Sequence, residues 1–282
     1  MIPYLLALIP FVFLFGNPIL EFFSGNTGSC DSAAAVKKLH RIPLPKLNTD
    51  LLALESNDSS YECAEDGYKV HVYSSEPLVL YFEGFLSEGE RGHLLDISEP
   101  LYEPSTVTHN GGAAVNRDVS VRDSEVAVVP RDHVVRCIED RARSVQGWRE
   151  QVWIERLRMQ RYKPGGHYSH HYDWSSGMGG WGRVSSFMVW VHDAGGELEG
   201  GGTEFLRLGR KGGKWCKFVD CDETEGEGNA TVFKVVPGNA VYWENFRSDG
   251  TGRGYEETWH AGLPVRKGRK VGLNIWSWGR MD

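Results

Sequence analysis

Basic residues are in short supply: 31 Lys and Arg stand against 38 Asp and Glu in 282 residues, a formal net charge of −7. That balance argues against non-specific binding to nucleic acid, although it leaves room for a positive pocket inside an acidic protein. Cysteine is scarce too. The five in the chain, Cys30, Cys63, Cys137, Cys216 and Cys221, include no Cys-x-x-Cys pair, so a thiolate zinc site is not expected. No internal repeat and no His-Glu-x-x-His helix motif is present. Glycine and tryptophan, at 34 and 10 residues, are plentiful and favour a turn-rich β architecture over a helix bundle.

Met1 to Leu20 is nearly all apolar, and residues 1–22 read as a signal sequence or membrane anchor. No small-x-small cleavage site follows, which favours an uncleaved anchor. Lys37, Lys38 and Arg41 after the run would keep that side cytosolic. Sequons at Asn57 and Asn229 and the close pair Cys216 and Cys221, which either close a small ring or remain thiols, instead favour the secretory lumen. The expected location is therefore the secretory pathway: the endoplasmic reticulum lumen, membrane-anchored, with secretion if the leader is cut. Residues 23–67 read as a linker or stem, and 68–282 as one folded domain.

Within that domain, 68–74 and 78–85 are β-rich, and Ser87 with Glu90 forms a Ser-x-x-Glu capping box that starts a helix. A second helix follows Pro130, with Val134, Val135, Ile138, Ala142 and Val145 at helical spacing. Arg131, Asp132, Glu139 and Arg141 lie on its other side. Short strands then succeed one another over 153–162, 185–193, 231–237, 240–246 and 270–278, with Gly- and Pro-rich turns between them. The fold class expected is mainly β with packed helices (α+β), and a double-stranded β-helix, or jelly roll, supported by N-terminal helices is one such form.

His171 and Asp173 are two residues apart, so on an extended strand end they share a face. With His260 from a distant strand they offer two imidazoles and a carboxylate, a set that suits iron(II) and leaves positions open for chemistry. Zinc is the alternative metal. His167 and His170 compete as ligands but lack a carboxylate at the right offset, and a hydrogen-bonded loop role suits them better. Ten residues past His260, alternation puts Lys270, Gly272, Asn274 and Trp276 on one face and Val271, Leu273 and Ile275 on the other. A face of lysine, glycine and asparagine suits a polar pocket in which Lys270 meets a carboxylate. The alternative is a solvated basic turn with Arg266, Lys267 and Arg269.

From about Leu78 to Trp276 the chain resembles the prolyl 4-hydroxylase alpha-subunit-like family of Fe(II)/2-oxoglutarate-dependent dioxygenases. The segments that carry the resemblance are 85–90, 121–124, 162–173, 183–190, 200–205 and 260–265, followed by Gly268 and Lys270. The resemblance implies that His171, Asp173 and His260 bind iron, that Lys270 binds the distal carboxylate of 2-oxoglutarate, and that Tyr162 approaches the co-substrate. It implies a dioxygenase domain over 68–282 using Fe(2+), 2-oxoglutarate, O2 and L-ascorbate, which hydroxylates a peptidyl residue, most readily proline, and converts 2-oxoglutarate to succinate. A lysyl residue or small metabolite as substrate, and a non-catalytic jelly-roll binding module, stay open as alternatives. The partners implied are a proline-containing peptide or protein and, through the N-terminal segment, a membrane, with no nucleic acid. Trp190 departs from the family's usual tyrosine. Trp174, Trp181 and Tyr172 either line a peptide groove or pack internally.

Overall fold

Alternation along the strands gives the large sheet two apolar faces, and each is covered by a different layer. The computed structural model describes residues 49–54, 61–109, 114–149, 151–174, 180–222 and 228–281. Its principal strands are β1 (Lys69–Ser75), β2 (Leu78–Glu83), β3 (Glu103–Pro104), β4 (Arg122–Asp123), β5 (Glu125–Val128), β6 (Val152–Ile154) and β7 (Arg158–Tyr162). They continue with β8 (His167–His171), β9 (Trp181–His192), β10 (Thr203–Gly209), β11 (Ala230–Phe233), β12 (Ala240–Glu244), β13 (His260–Gly262) and β14 (Lys270–Arg280). The helices are α1 (Glu88–Ser98) and α2 (His133–Val145).

The large sheet runs β1-β2-β12-β9-β14-β7-β5-β3, with β6 beside β14, and the small sheet runs β11-β10-β13-β8-β4. All these pairs are antiparallel. On one face of the large sheet Phe187, Val189, Leu273 and Ile275 pack with Leu94 of α1 and Val135, Ile138 and Ala142 of α2. On the opposite face Met188, Trp190, Val241 and Trp243 meet Phe205, Leu208 and Phe233 of the small sheet. Each fully buried side chain of this size stabilises the fold by about 1.5–3 kcal/mol, so the two cores fix the layering. The result is a mixed α/β fold dominated by antiparallel sheets with flanking helices.

The capping box is present: Ser87 Oγ accepts from the Glu90 amide at 3.2 Å, and the Ser87 amide donates to Glu90 Oε2 at 2.8 Å. Asp132 caps α2 by accepting from the Val135 amide at 3.0 Å. The polar side of α2, however, is not a water-facing stripe. Glu139 and Arg141 are buried, paired with Arg131 and with Glu90 and Asp66 respectively. The strand expected over 153–162 divides into β6 and β7. Ile154 pairs with Ser277 and Arg158 with Asn274, so four steps on one strand face three on β14, and the extra residue breaks the ladder.

Among the described residues no helix is long and apolar enough to cross a membrane. α1 and α2 have 11 and 13 residues, well short of the roughly 20 a span needs. The expectation of a membrane-anchored protein of the endoplasmic reticulum, with a membrane as partner, is corrected on that ground. The segment 1–22 that carried it lies outside the described residues. Leu52 and Ala53, within the expected stem, pack onto the domain, with the Ala53 amide donating to Ile154 at 2.8 Å. Cys216 and Cys221 do close a ring, and Cys63 pairs with Cys137.

Candidate functional site

β8 and β13 are neighbours in the small sheet, and their register sets His171 opposite His260. Directly opposed antiparallel residues have Cβ atoms about 5 Å apart, and the two imidazole centres lie 4.3 Å apart. Asp173 stands just beyond the end of β8. Its Oδ1 is 3.6 Å from His171 Nε2, and its Oδ2 is 3.9 Å from His260 Nε2. Nδ1 of His171 donates to the Ser169 carbonyl at 2.8 Å, and Nδ1 of His260 donates to the Thr258 carbonyl at 2.9 Å. These bonds put the ring proton on Nδ1 and leave each Nε2 lone pair for a metal.

One ligand atom from each of the three residues lies within 4.8 Å of the others. Metal bonds of about 2.1 Å would bring such atoms to roughly 4 Å or less, so small side-chain adjustments suffice to close them on one ion. The charge states fit as well. Burial pushes the Asp173 carboxyl up, but His260 and His171 beside it hold it well below the usual carboxylate range. Burial and the neighbouring His171 lower the His260 imidazole to about 4, against the pull of Asp173. A neutral imidazole and an ionised carboxylate are the forms that bind metal at neutral pH.

Aromatic rings wall the three in. Tyr168 stacks on His171 at 3.7 Å, and Trp243 meets His260 edge-on at 4.8 Å. The adjoining cavity is floored by the large sheet, with Gln160 and Tyr162 of β7 and Lys270 and Asn274 of β14. Lys270 is 2% exposed and donates to the Gly201 carbonyl at 2.6 Å. A buried ammonium that lines the cavity is complementary to an anionic ligand. Gly201 has φ +79°, and a Cβ there would lie 3.3 Å from Lys270 Cδ, which ties the glycine run to the placement of the lysine. Tyr162 donates to Gln160 Oε1 at 2.7 Å, and burial pushes its phenol up. Gln160 Nε2 and Thr203 Oγ1, both of residues lining the cavity, are buried without a hydrogen-bond partner.

All five site residues singled out from sequence, His171, Asp173, His260, Lys270 and Tyr162, line this one cavity. His170 does not; its Nε2 donates to the buried carboxylate of Glu204 at 2.7 Å. His167 bonds to the Gly165 and Ser120 carbonyls. Trp190 is fully buried among the residues between the sheets and stands outside the cavity lining. Trp181 is no groove residue: it is 1% exposed and packs edge-on against Trp153. Tyr172 and Trp174 are half-buried with their tilted rings 4.4 Å apart, and Trp259 lies beside Tyr172 at 4.6 Å. Gln160 was overlooked, although it falls on the same strand face as Tyr162 two residues on. Tyr168 carried no such signal, because an irregularity between Tyr168 and His171 lets both rings face the site.

Residues 157–278 match the family described as the 2OG-Fe(II) oxygenase superfamily. Over 267 residues the chain is 26% identical to prolyl 4-hydroxylase subunit alpha-3 of Mus musculus, covering 92% of this chain and 43% of that protein. It therefore spans less than half the length of that relative. Prolyl 4-hydroxylase 2 of Arabidopsis thaliana is 27% identical over 214 residues, covering 74% of this chain and 69% of the relative. Among solved structures, the viral collagen prolyl hydroxylase of Paramecium Bursaria Chlorella virus-1, in its 2OG complex, superposes with a TM-score of 0.51 at 22% identity. That match covers 71% of this chain and 96% of the viral one, and it is a likeness of fold.

Proposed function

We propose that the chain belongs to the 2OG-Fe(II) oxygenase superfamily and is an Fe(II)- and 2-oxoglutarate-dependent dioxygenase that hydroxylates a peptidyl residue, with proline as the substrate residue. The observation that carries this reading is the convergence of His171, Asp173 and His260 beside a cavity that holds buried Lys270. The two facing sheets are read as the double-stranded β-helix. Proline as target is supported by the names of the relatives, and ascorbate by the resemblance alone.

Two Nε2 atoms and the Asp173 carboxylate would hold the metal from one side and leave its opposite positions to co-substrate and O2. With iron(II) bound, the chemistry supplied is oxidative decarboxylation of 2-oxoglutarate to succinate coupled to hydroxylation of a substrate C–H bond. The chain's own part is geometric and electrostatic. Lys270 would pair with the distal carboxylate, helped by the open hydroxyl of Thr203. The carbonyls of Ser169 and Thr258 keep the imidazoles oriented. Tyr168 and Trp243 exclude water around the ligands, which strengthens the local electrostatics.

The test is iron-dependent formation of succinate from 2-oxoglutarate, with and without a proline-rich peptide. Peptide-stimulated succinate is expected from the native protein, none from His171→Ala or Asp173→Ala, and a raised KM for 2-oxoglutarate in Lys270→Ala. Full turnover in either metal-ligand variant would refute the assignment.

A further inference from the structure

The inner face of the large sheet carries more positive charge than a metal and a dicarboxylate can use. Arg158 lies on β7 two residues before Gln160 and four before Tyr162, so alternation gives it the cavity face. Its register partner on β14 is Asn274, itself part of the cavity lining. The Arg158 guanidinium lies 5.7 Å from the centre of the Trp276 ring, and Arg183 stacks on the same ring at 4.0 Å. Glu155 holds Arg183 through two bonds, of 2.6 and 2.9 Å. Glu155 is the one carboxylate among the charged groups that act on Arg158, beside Arg183 and Arg122. Among the described residues Arg158 has the Trp276 contact but no side-chain hydrogen bond and no ion pair.

Arg122 repeats the pattern. It is 9% exposed, its Nε donates to Ser124 Oγ at 2.9 Å, and it lies 4.6 Å over Tyr168, the ring that covers His171. Its second terminal nitrogen is buried with no hydrogen-bond partner. A buried guanidinium with unmet donors is costly unless an anion completes it.

Charge balance gives the same direction. Iron(II) and the 2-oxoglutarate dianion would offset one another. Asp173 and Glu155 match two of the three guanidinium cations Arg122, Arg158 and Arg183. The surplus is positive, in a chain of net charge −7, and a neutral proline side chain makes no use of it. Building on the oxygenase reading above, we infer that the substrate carries a carboxylate beside the carbon that is oxidised, and that Arg158, with the open nitrogen of Arg122, receives it. Arg158 is then a specificity-determining residue.

The test uses proline-containing peptides with blocked ends that differ only in Glu or Gln next to the proline. A second pair ends on the proline as free acid or amide, which separates a side-chain carboxylate from a terminal one. Succinate release gives kcat and KM, and equilibrium binding to protein loaded with zinc(II) and 2-oxoglutarate gives affinity without turnover. One acidic peptide should show a KM and a dissociation constant lower by about tenfold than its neutral twin, as one charge-assisted bond provides. In Arg158→Gln the ratio should fall to near one, and Arg158→Lys should recover part of it. Equal use of acidic and neutral peptides by the native protein, with succinate formed, overturns the inference and leaves the oxygenase reading standing. Absence of any iron-dependent succinate with every peptide sinks both. The native comparison needs no variant, so a misfolded Arg158→Gln does not spoil the test.

Discussion

A proton on Nδ1 decides what His171 and His260 can do. The carbonyls of Ser169 and Thr258 take that proton in hydrogen bonds and leave both Nε2 atoms as acceptors for a metal. Asp132 shows the same dependence of one group on its donors. Burial pushes its carboxyl up, but the Val135 amide and His93, which donates to it at 2.6 Å, hold it below its usual value of 3.8. A depressed folded-state pKa contributes stability above pH 3.8 that is lost as pH falls through the folded value. Asp132→Asn keeps a capping oxygen without the charge. The native protein should therefore unfold at higher urea than the variant at pH 7, and the gap should close below pH 3.8. A gap independent of pH would show that the charge of Asp132 is immaterial.

At the scale of the element, α2 is held from both sides. Its apolar stripe of Val135, Ile138 and Ala142 packs on the sheet, while Glu139, 1% exposed, is met by Arg131 through bonds of 3.0 and 2.8 Å to Oε2. Burial raises the Glu139 carboxyl even so. Removing the partner of a buried charge costs far more than replacing the pair by apolar groups. Arg131→Ala should destabilise the protein by about 3 kcal/mol, and adding Glu139→Leu should return much of the loss. Urea midpoints of the single and double variants check this; equal losses in both would mean that Glu139 is satisfied without Arg131.

At the scale of the whole molecule, the two disulfides differ in what they close. Cys63 and Cys137 are 74 residues apart and tie the segment before β1 to α2, whereas Cys216 and Cys221 are 5 apart. Cross-linking restricts the unfolded chain more as the loop lengthens. Cys63→Ser should cost about 4 kcal/mol and Cys216→Ser about 2 kcal/mol by loop entropy. Thermal unfolding of the two variants ranks them, and a larger loss for Cys216→Ser would contradict the entropic account.

Residue order alone determined what depends on near neighbours. The capping box at Ser87, the apolar stripe of α2, the shared face of Lys270 and Asn274 and the offset of His171 from Asp173 were all legible, because helix and strand periods fix which side chains point together. The inter-sheet core residues Trp190 and Trp243 and the burial of Trp181 were not. They follow from which sheet face meets which layer. Long-range pairing was likewise decided only by the fold: the register that sets His171 against His260, the irregularity that swings Tyr168 onto His171, the buried pairing of Glu139, and the Cys63–Cys137 bridge. Such contacts join residues far apart in the chain, and no local preference encodes them. They form because closing two apolar faces against each other permits one strand register and rejects the rest.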